Sequence, residues 1–185
     1  MDIFIEQLIA RKKDGVDRAK TVLIFASAAL LTIVAVFLSF ILSSISVKIA
    51  YFYKLLMPFL VVFLWYGAII MYSKLNIEFE YTVINGNLDV DKIMSKKSRK
   101  RVLSIDIKDV GLMANINDEE NNYLYNNPPQ DVKLLDFTAR DSDTDVYFID
   151  CNVNSSRTIV LFQPNETIVE SLWKFNPKAV KKYNL

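Results

Sequence analysis

Residues 94–102, "MSKKSRKRV", place five basic side chains within nine positions: Lys96, Lys97, Arg99, Lys100 and Arg101. Such a run can contact anionic lipid headgroups, nucleic acid or an acidic protein, or it can be a solvated loop. From residue 76 onward, 14 Lys and Arg stand against 17 Asp and Glu, which is not the basic footprint of a nucleic-acid-binding domain. The charge balance therefore argues against nucleic acid and leaves lipid contact and plain solvation open.

Catalytic chemistry has few candidate residues in this sequence. The chain contains no His, the commonest general base and metal ligand, and Cys151 is its one cysteine. The acidic stretch from Asp141 to Asp145 lacks the Gly and the distal Glu of a calcium loop, and four glycines form no phosphate-binding loop. We expect no enzyme activity and no catalytic, cofactor-binding or metal site.

Two long apolar runs dominate the N-terminal part of the chain. The 27 residues from Thr21 to Val47 and the 19 residues from Leu55 to Ser73 carry no charge. A bilayer core of about 30 Å needs roughly 20 apolar residues of helix to cross it. We expect two transmembrane helices, about 21–45 and 50–73, within a segment spanning residues 19–75.

The distribution of Lys and Arg predicts the orientation of these spans. Five basic residues precede the first span, whereas the stretch between the two uncharged runs carries only Lys48 and Lys54. Because positive residues stay on the cytoplasmic side, both termini of this multi-pass cell-membrane protein are expected in the cytoplasm.

Residues 1–18 have apolar side chains at helical spacing, namely Ile3, Phe4, Leu8 and Ile9. The pattern favours a cytoplasmic amphipathic helix lying in the membrane interface, and a frayed N-terminal tail is the alternative.

The segment 76–176 is expected to form a mainly β domain, followed by a tail, 177–185. Alternating residues before and after Asn85-Gly86 predict a tight hairpin that pairs Tyr81 with Val90. This register also sets Glu80 against Asp91, which is unfavourable, so a bulge or shifted register is an alternative. Further strands follow in "RVLSIDIKDV", "VKLLDFT", "VYFIDCNV" and "TIVLFQ", and a helix over about 165–175 ends the domain.

A long Asn-rich segment, 114–131, interrupts the strands. Loops of this length in a compact domain are usually functional or disordered. Tyr123, Leu124 and Tyr125 in its middle either anchor a protein partner or fold back onto the domain; the sequence leaves both open.

The order of about seven strands and one C-terminal helix is that of a pleckstrin-homology-like (PH-like) barrel. With "MDIFIEQLIARKK", two spans, "YTVINGNLDVDKIM" and "VLFQPNETIVESL", nearly the whole chain resembles an uncharacterised family of bacterial two-span membrane proteins with a C-terminal PH-like domain. That family has no established activity to transfer. In PH domains that bind phosphoinositides, basic residues lie in a long loop between the first two strands. Here Asn85-Gly86 forms that connection, so headgroup recognition does not carry over.

Two functions remain open at this point. One is a membrane-anchored PH-like interaction or scaffolding module at the inner leaflet, where the five basic residues contact anionic lipid. The other is an accessory subunit of a larger membrane complex, in transport or envelope machinery, acting through its transmembrane helices. Either function implies membrane lipids and a protein partner, and oligomers are compatible with both.

Overall fold

The computed structural model describes residues 3–140 and 145–183, and it gives no description of the Ser43 side chain. The chain divides into two compact units, one formed by residues 13–76 and the other by the residues before and after that segment. The elements in chain order are β1 (Phe4–Ala10), α1 (Gly15–Ile45), α2 (Val47–Ser73), β2 (Ile77–Ile84), β3 (Asn87–Met94), β4 (Ser98–Asp106), a 3-10 turn (Ile107–Asp109), β5 (Leu112–Asn115), α3 (Tyr123–Asn126), β6 (Lys133–Asp136), β7 (Tyr147–Val153), β8 (Ser156–Phe162) and α4 (Glu166–Phe175).

The first unit is a helical hairpin. The Asp14 side chain accepts a hydrogen bond from the backbone of Asp17 and caps α1, and Ser46 alone separates α1 from α2. The hydroxyl of Tyr53 on α2 donates to the carbonyl of Ala35 on α1 at 2.9 Å. Both helices are long and apolar enough to cross a membrane, with mean hydropathies of 2.6 and 2.1 over their most apolar 18 residues. They extend beyond the predicted spans at 21–45 and 50–73, and their connection is shorter than predicted.

The N-terminal segment is a strand, so the amphipathic helix predicted within residues 1–18 is wrong. β1 pairs antiparallel with β2 from Phe4–Ile84 to Ala10–Glu78. Ile5 and Ile9 pack against the core of the second unit, whereas Glu6 and Leu8 on the other face of the strand are exposed. Because so short a helix is marginal in isolation, the backbone hydrogen bonds offered by the edge of β2 favour the strand. The domain predicted over 76–176 therefore also includes the residues before the helical hairpin.

The first sheet has the strand order β1-β2-β3-β4 and is antiparallel throughout. Its β2–β3 hairpin is confirmed as predicted, with Tyr81 opposite Val90. Asn85 and Gly86 have φ values of 50° and 90°, as a type I′ turn requires. A Cβ on Gly86 would lie 2.9 Å from the ring of Phe175, so this turn also needs glycine for its close approach to α4.

The second sheet has the order β5-β7-β8-β6, in which β6 is parallel to β8. The described strands thus number eight in two four-stranded sheets, rather than about seven in one barrel as predicted. The core joins both sheets and α4, and its fully buried large side chains include Tyr81, Leu88, Ile107, Ile149, Phe162, Ile168 and Leu172. The Tyr81 hydroxyl links the first sheet to the second, because it donates to the carbonyl of Phe137 at 2.7 Å and accepts from the backbone of Gln163 at 3.1 Å.

The helix predicted over about 165–175 is confirmed as α4. The Asn165 side chain accepts from the backbone of Ile168 at 2.9 Å and caps its start. Trp173, four residues after the buried Val169, is 37% exposed, and the Lys182 ammonium lies 4.2 Å from its ring centre. The segment predicted as a tail, 177–185, is packed where it is described: Val180 is buried and forms a bridge with Met113 at the edge of β5.

Candidate interaction surfaces

The β3–β4 turn carries the first part of the basic run. The backbone of Lys97 donates to the carbonyl of Met94 at 3.1 Å, and Ser95 and Lys96 between them have φ values of 55° and 57°. These are the angles of a type I′ turn. Because neither Ser95 nor Lys96 is glycine, their positive φ values strain the backbone. The turn leaves Lys96 and Lys97 exposed at its tip.

The two arginines of the run face acidic residues on the outer surface of the first sheet. Glu80 and Asp91 do stand opposite each other, as the hairpin register predicts, and the β3–β4 register shifts between Val90 and Asp91. The Arg99 guanidinium contacts both carboxylates and offsets the repulsion between them. Arg101 contacts Asp89 at 2.9 Å and Asp91 at 3.2 Å.

The lysines of the run have a different environment. The three, Lys96, Lys97 and Lys100, form no ion pair with any residue that the structure describes. Lys92 on β3 stands opposite Lys100 on β4 and likewise forms no ion pair with a described residue. Sequence reasoning did not include Lys92. The signal available was the hairpin register, because a short turn after Met94 returns β4 alongside β3. The four residues Lys92, Lys96, Lys97 and Lys100 are called the lysine patch below.

The Asn-rich segment folds back onto the outer face of the second sheet. Asn115 is fully buried, and its side-chain oxygen accepts from the backbone of Asn117 at 2.8 Å. Leu124 and Tyr125 pack against a small apolar cluster on this face, with the Tyr125 ring stacked on Phe148 at 6.3 Å between centroids. Tyr123, in contrast, is 59% exposed. Leu124 and Tyr125 therefore fold back onto the domain, whereas partner contact by Tyr123 stays a prediction.

A cleft of about 110 Å³ lies beside this segment. It is lined by Tyr125, Pro128, Val132, Leu134 and Ile159. The side chain of Leu134 is 58% exposed at its rim. The cleft is large enough for about one apolar side chain.

The one cysteine of the chain, Cys151, lies buried on β7. Burial raises the pKa of the Cys151 thiol to about 11, and the charge of Asp150 adds to this shift. The thiol is therefore protonated at neutral pH and a poor nucleophile. Within residues 3–140 and 145–183, no three His, Cys, Asp or Glu side chains are grouped so that they could hold a metal ion. Of the acidic stretch 141–145, only Asp145 lies within the described residues.

Two packed four-stranded sheets, with a helix that follows the last strand and packs into their core, define a PH-like domain. In this chain a pair of long apolar helices is inserted between its first two strands. The chain belongs to the family described as Bacterial PH-like domain (DUF6106), whose model matches residues 1–182. No curated protein and no solved structure gives a significant match.

Proposed function

We propose that this protein is a membrane-anchored interaction module: α1 and α2 cross the cell membrane, and the PH-like domain binds a protein partner at the cytoplasmic face. The observation that carries the proposal is the insertion of the helical hairpin between two neighbouring strands. The backbone of Arg11 donates to the carbonyl of Ile77 at 3.0 Å, so the domain holds both ends of the hairpin together.

The surface of the helices supports membrane anchoring. Only 11% of the most apolar window of α1 and 6% of that of α2 is buried within the structure. Phe37 and Phe63, for example, are 66% and 75% exposed. Such continuous apolar exposure is costly in water and favourable in lipid.

The strand pairing supports placing both termini on one side. β1 and β2 can form hydrogen bonds only if they occupy the same compartment, so a hairpin inserted between them must cross the bilayer an even number of times. The excess of Lys and Arg before α1 favours the cytoplasm for that compartment.

Single-cysteine labelling tests the anchoring and its orientation. In a Cys151→Ala background, cysteines replace Glu6 on β1, Ser46 at the hairpin tip and Asn152 on β7, one at a time; Glu6 and Asn152 are exposed. A membrane-impermeant maleimide should label position 46 in intact cells, and positions 6 and 152 only after permeabilisation. Labelling of position 6 or 152 in intact cells would refute the proposed topology.

Partner capture tests the interaction role. The full chain serves as bait in mild detergent with crosslinking, beside a fusion that joins Lys12 to Ile77 through a short Gly-Ser turn. Under the proposal, both baits recover the same partner, because the domain makes the decisive contact. Recovery by the full chain but not by the fusion would refute the module and favour an accessory subunit that acts through its helices.

A groove between α1 and α2 is the observation that favours the accessory subunit. It is lined on one side by Leu23, Ser27 and Leu31 and on the other by Phe63 and Gly67. A Cβ added to Gly67 would meet no atom within 4 Å, so this position leaves open space. Substituting Gly67 by Leu would fill the groove and abolish capture by the helices, whereas it leaves capture by the domain unchanged.

A further inference from the structure

The structure separates the basic run into paired and unpaired charges. Arg99 and Arg101 are engaged by Glu80, Asp89 and Asp91 on the outer face of the first sheet. The lysine patch has no such partners within the described residues, and its members Lys92 and Lys100 stand directly opposite each other. Like charges in this arrangement repel, so an external anion would relieve the repulsion.

The patch lies at one particular end of the first sheet. Ile77 pairs with Met94 and Met94 pairs with Ser98, whereas the Asn85-Gly86 turn lies at the opposite end. Ala10, the last residue of β1, pairs with Glu78 at the same end as Met94. Both chain connections to the helical hairpin therefore leave the domain at the end that carries the lysine patch.

The connections are short. Residues 12–14 link the paired Arg11 to α1, and residues 74–76 link α2 to β2. Three residues span at most about 11 Å. If the helices are membrane-embedded, as proposed above, these short connections keep this end of the domain close to the lipid headgroups. The separation is then comparable to the Debye length of about 10 Å, within which charges still attract each other.

We propose that the lysine patch docks the domain onto the anionic leaflet of the membrane that holds the helices. The lysine ammonium groups contact lipid phosphates, while Arg99 and Arg101 stay on their carboxylates and do not take part. The binding is electrostatic rather than specific for one headgroup, because the patch consists of exposed or half-buried lysines on a turn and two strands. This inference rests on the proposed membrane anchoring.

Lysine acetylation footprinting of the full chain in nanodiscs tests the proposal. One set of discs contains phosphatidylglycerol and phosphatidylcholine, and the other only phosphatidylcholine. Since a lysine near an anionic leaflet strengthens binding roughly fivefold, acetylation of the patch should slow by about fivefold or more in the anionic discs. The difference should vanish at about 0.5 M salt, where the Debye length is only a few ångströms. Lys174 and Lys178, which are exposed near the opposite end, serve as internal controls with unchanged rates.

Two variants sharpen the comparison. K96S/K97S should restore fast acetylation of Lys92 and Lys100 in anionic discs, because half of the docking charge is gone. K174S/K178S removes the same charge elsewhere and should leave the protection intact. Equal acetylation rates of the patch in both types of disc would overturn the proposal.

A third arm separates the leaflet from a soluble anion. Glycerol phosphate added to phosphatidylcholine discs should give no protection, and protection there would overturn leaflet docking in favour of a free phosphate site. Failure of the chain to enter discs at all would instead refute the membrane anchoring, so the two proposals fail in distinguishable ways.

Discussion

Substitution of Tyr81 by Phe isolates the link between the two sheets. The ring would remain packed edge-on against Phe162, at 5.5 Å between centroids, so no large cavity forms. What disappears is the hydroxyl, which leaves the carbonyl of Phe137 and the backbone N–H of Gln163 without this partner. An unsatisfied buried group costs about 1–3 kcal/mol, and Tyr81 is fully buried. We expect a loss of about 2–4 kcal/mol in the free energy of unfolding.

The pH dependence of this loss is a second signature of the same residue. Burial raises the pKa of the Tyr81 hydroxyl well above its ordinary value, although the hydrogen bond from Gln163 opposes the shift. The unfolded chain releases this proton near pH 10, while the native state retains it. The stabilisation is therefore complete below about pH 10 and declines above it by about 1.4 kcal/mol per pH unit. The difference between wild type and Tyr81→Phe should shrink accordingly.

Equilibrium urea unfolding of the fusion that joins Lys12 to Ile77 measures both effects, with Trp173 as the fluorescent reporter. Tyr123→Phe is the matched control, because it removes a hydroxyl from a side chain that is 59% exposed and should change stability by less than about 0.5 kcal/mol. A Tyr81→Phe loss no larger than that of the control would refute the role assigned to the hydroxyl. An unchanged difference between pH 9 and pH 11 would refute the pKa argument alone.

Three further substitutions test the core and the outer face of the domain by urea unfolding of the same fusion, followed here by circular dichroism because Trp173→Ala removes the fluorescent reporter. Leu172→Ala should lower the free energy of unfolding by about 3–5 kcal/mol, because Leu172 is fully buried. Trp173→Ala should lower it by only about 1 kcal/mol, because Trp173 is 37% exposed. A larger loss for Trp173→Ala than for Leu172→Ala would contradict the described packing of α4. Arg99→Met should cost about 1 kcal/mol at low salt, because only Arg101, which contacts Asp91, then offsets the repulsion between Glu80 and Asp91, and the cost should decrease as salt rises. A cost that is zero or independent of salt would show that Arg99 does not offset the repulsion between these carboxylates.

Local signals in the sequence were sufficient for some parts of the structure. The Asn85-Gly86 turn specifies the β2–β3 register because both residues must adopt positive φ. The cap at Asn165 and the apolar residues that follow specify α4. In both cases the determining interactions lie within a few residues of one another.

The parts that the sequence did not reveal depend on distant partners. In "FIEQLIA" the same apolar residues fit a helix and a strand, and the choice depends on the edge of β2, beyond both long helices. The pairing of Arg99 and Arg101 with acids on β2 and β3 depends on the register shift after Val90. Trp173 has helical spacing with the buried Val169, four residues earlier, but only the packing of the C-terminal segment decides that its ring lies against Lys182.

The insertion of the helices between β1 and β2 also orders the events of biosynthesis. β1 leaves the ribosome before the helices, and β2 leaves it after them, so the first sheet cannot form until the hairpin has been made. A folded hairpin brings the two strand ends together and removes most of the entropy cost of closing a long loop. If only one helix crossed the bilayer, β1 and β2 would lie in different compartments and could not pair, so the first sheet would lack its edge strand β1. Completion of the domain would then depend on correct insertion of both helices.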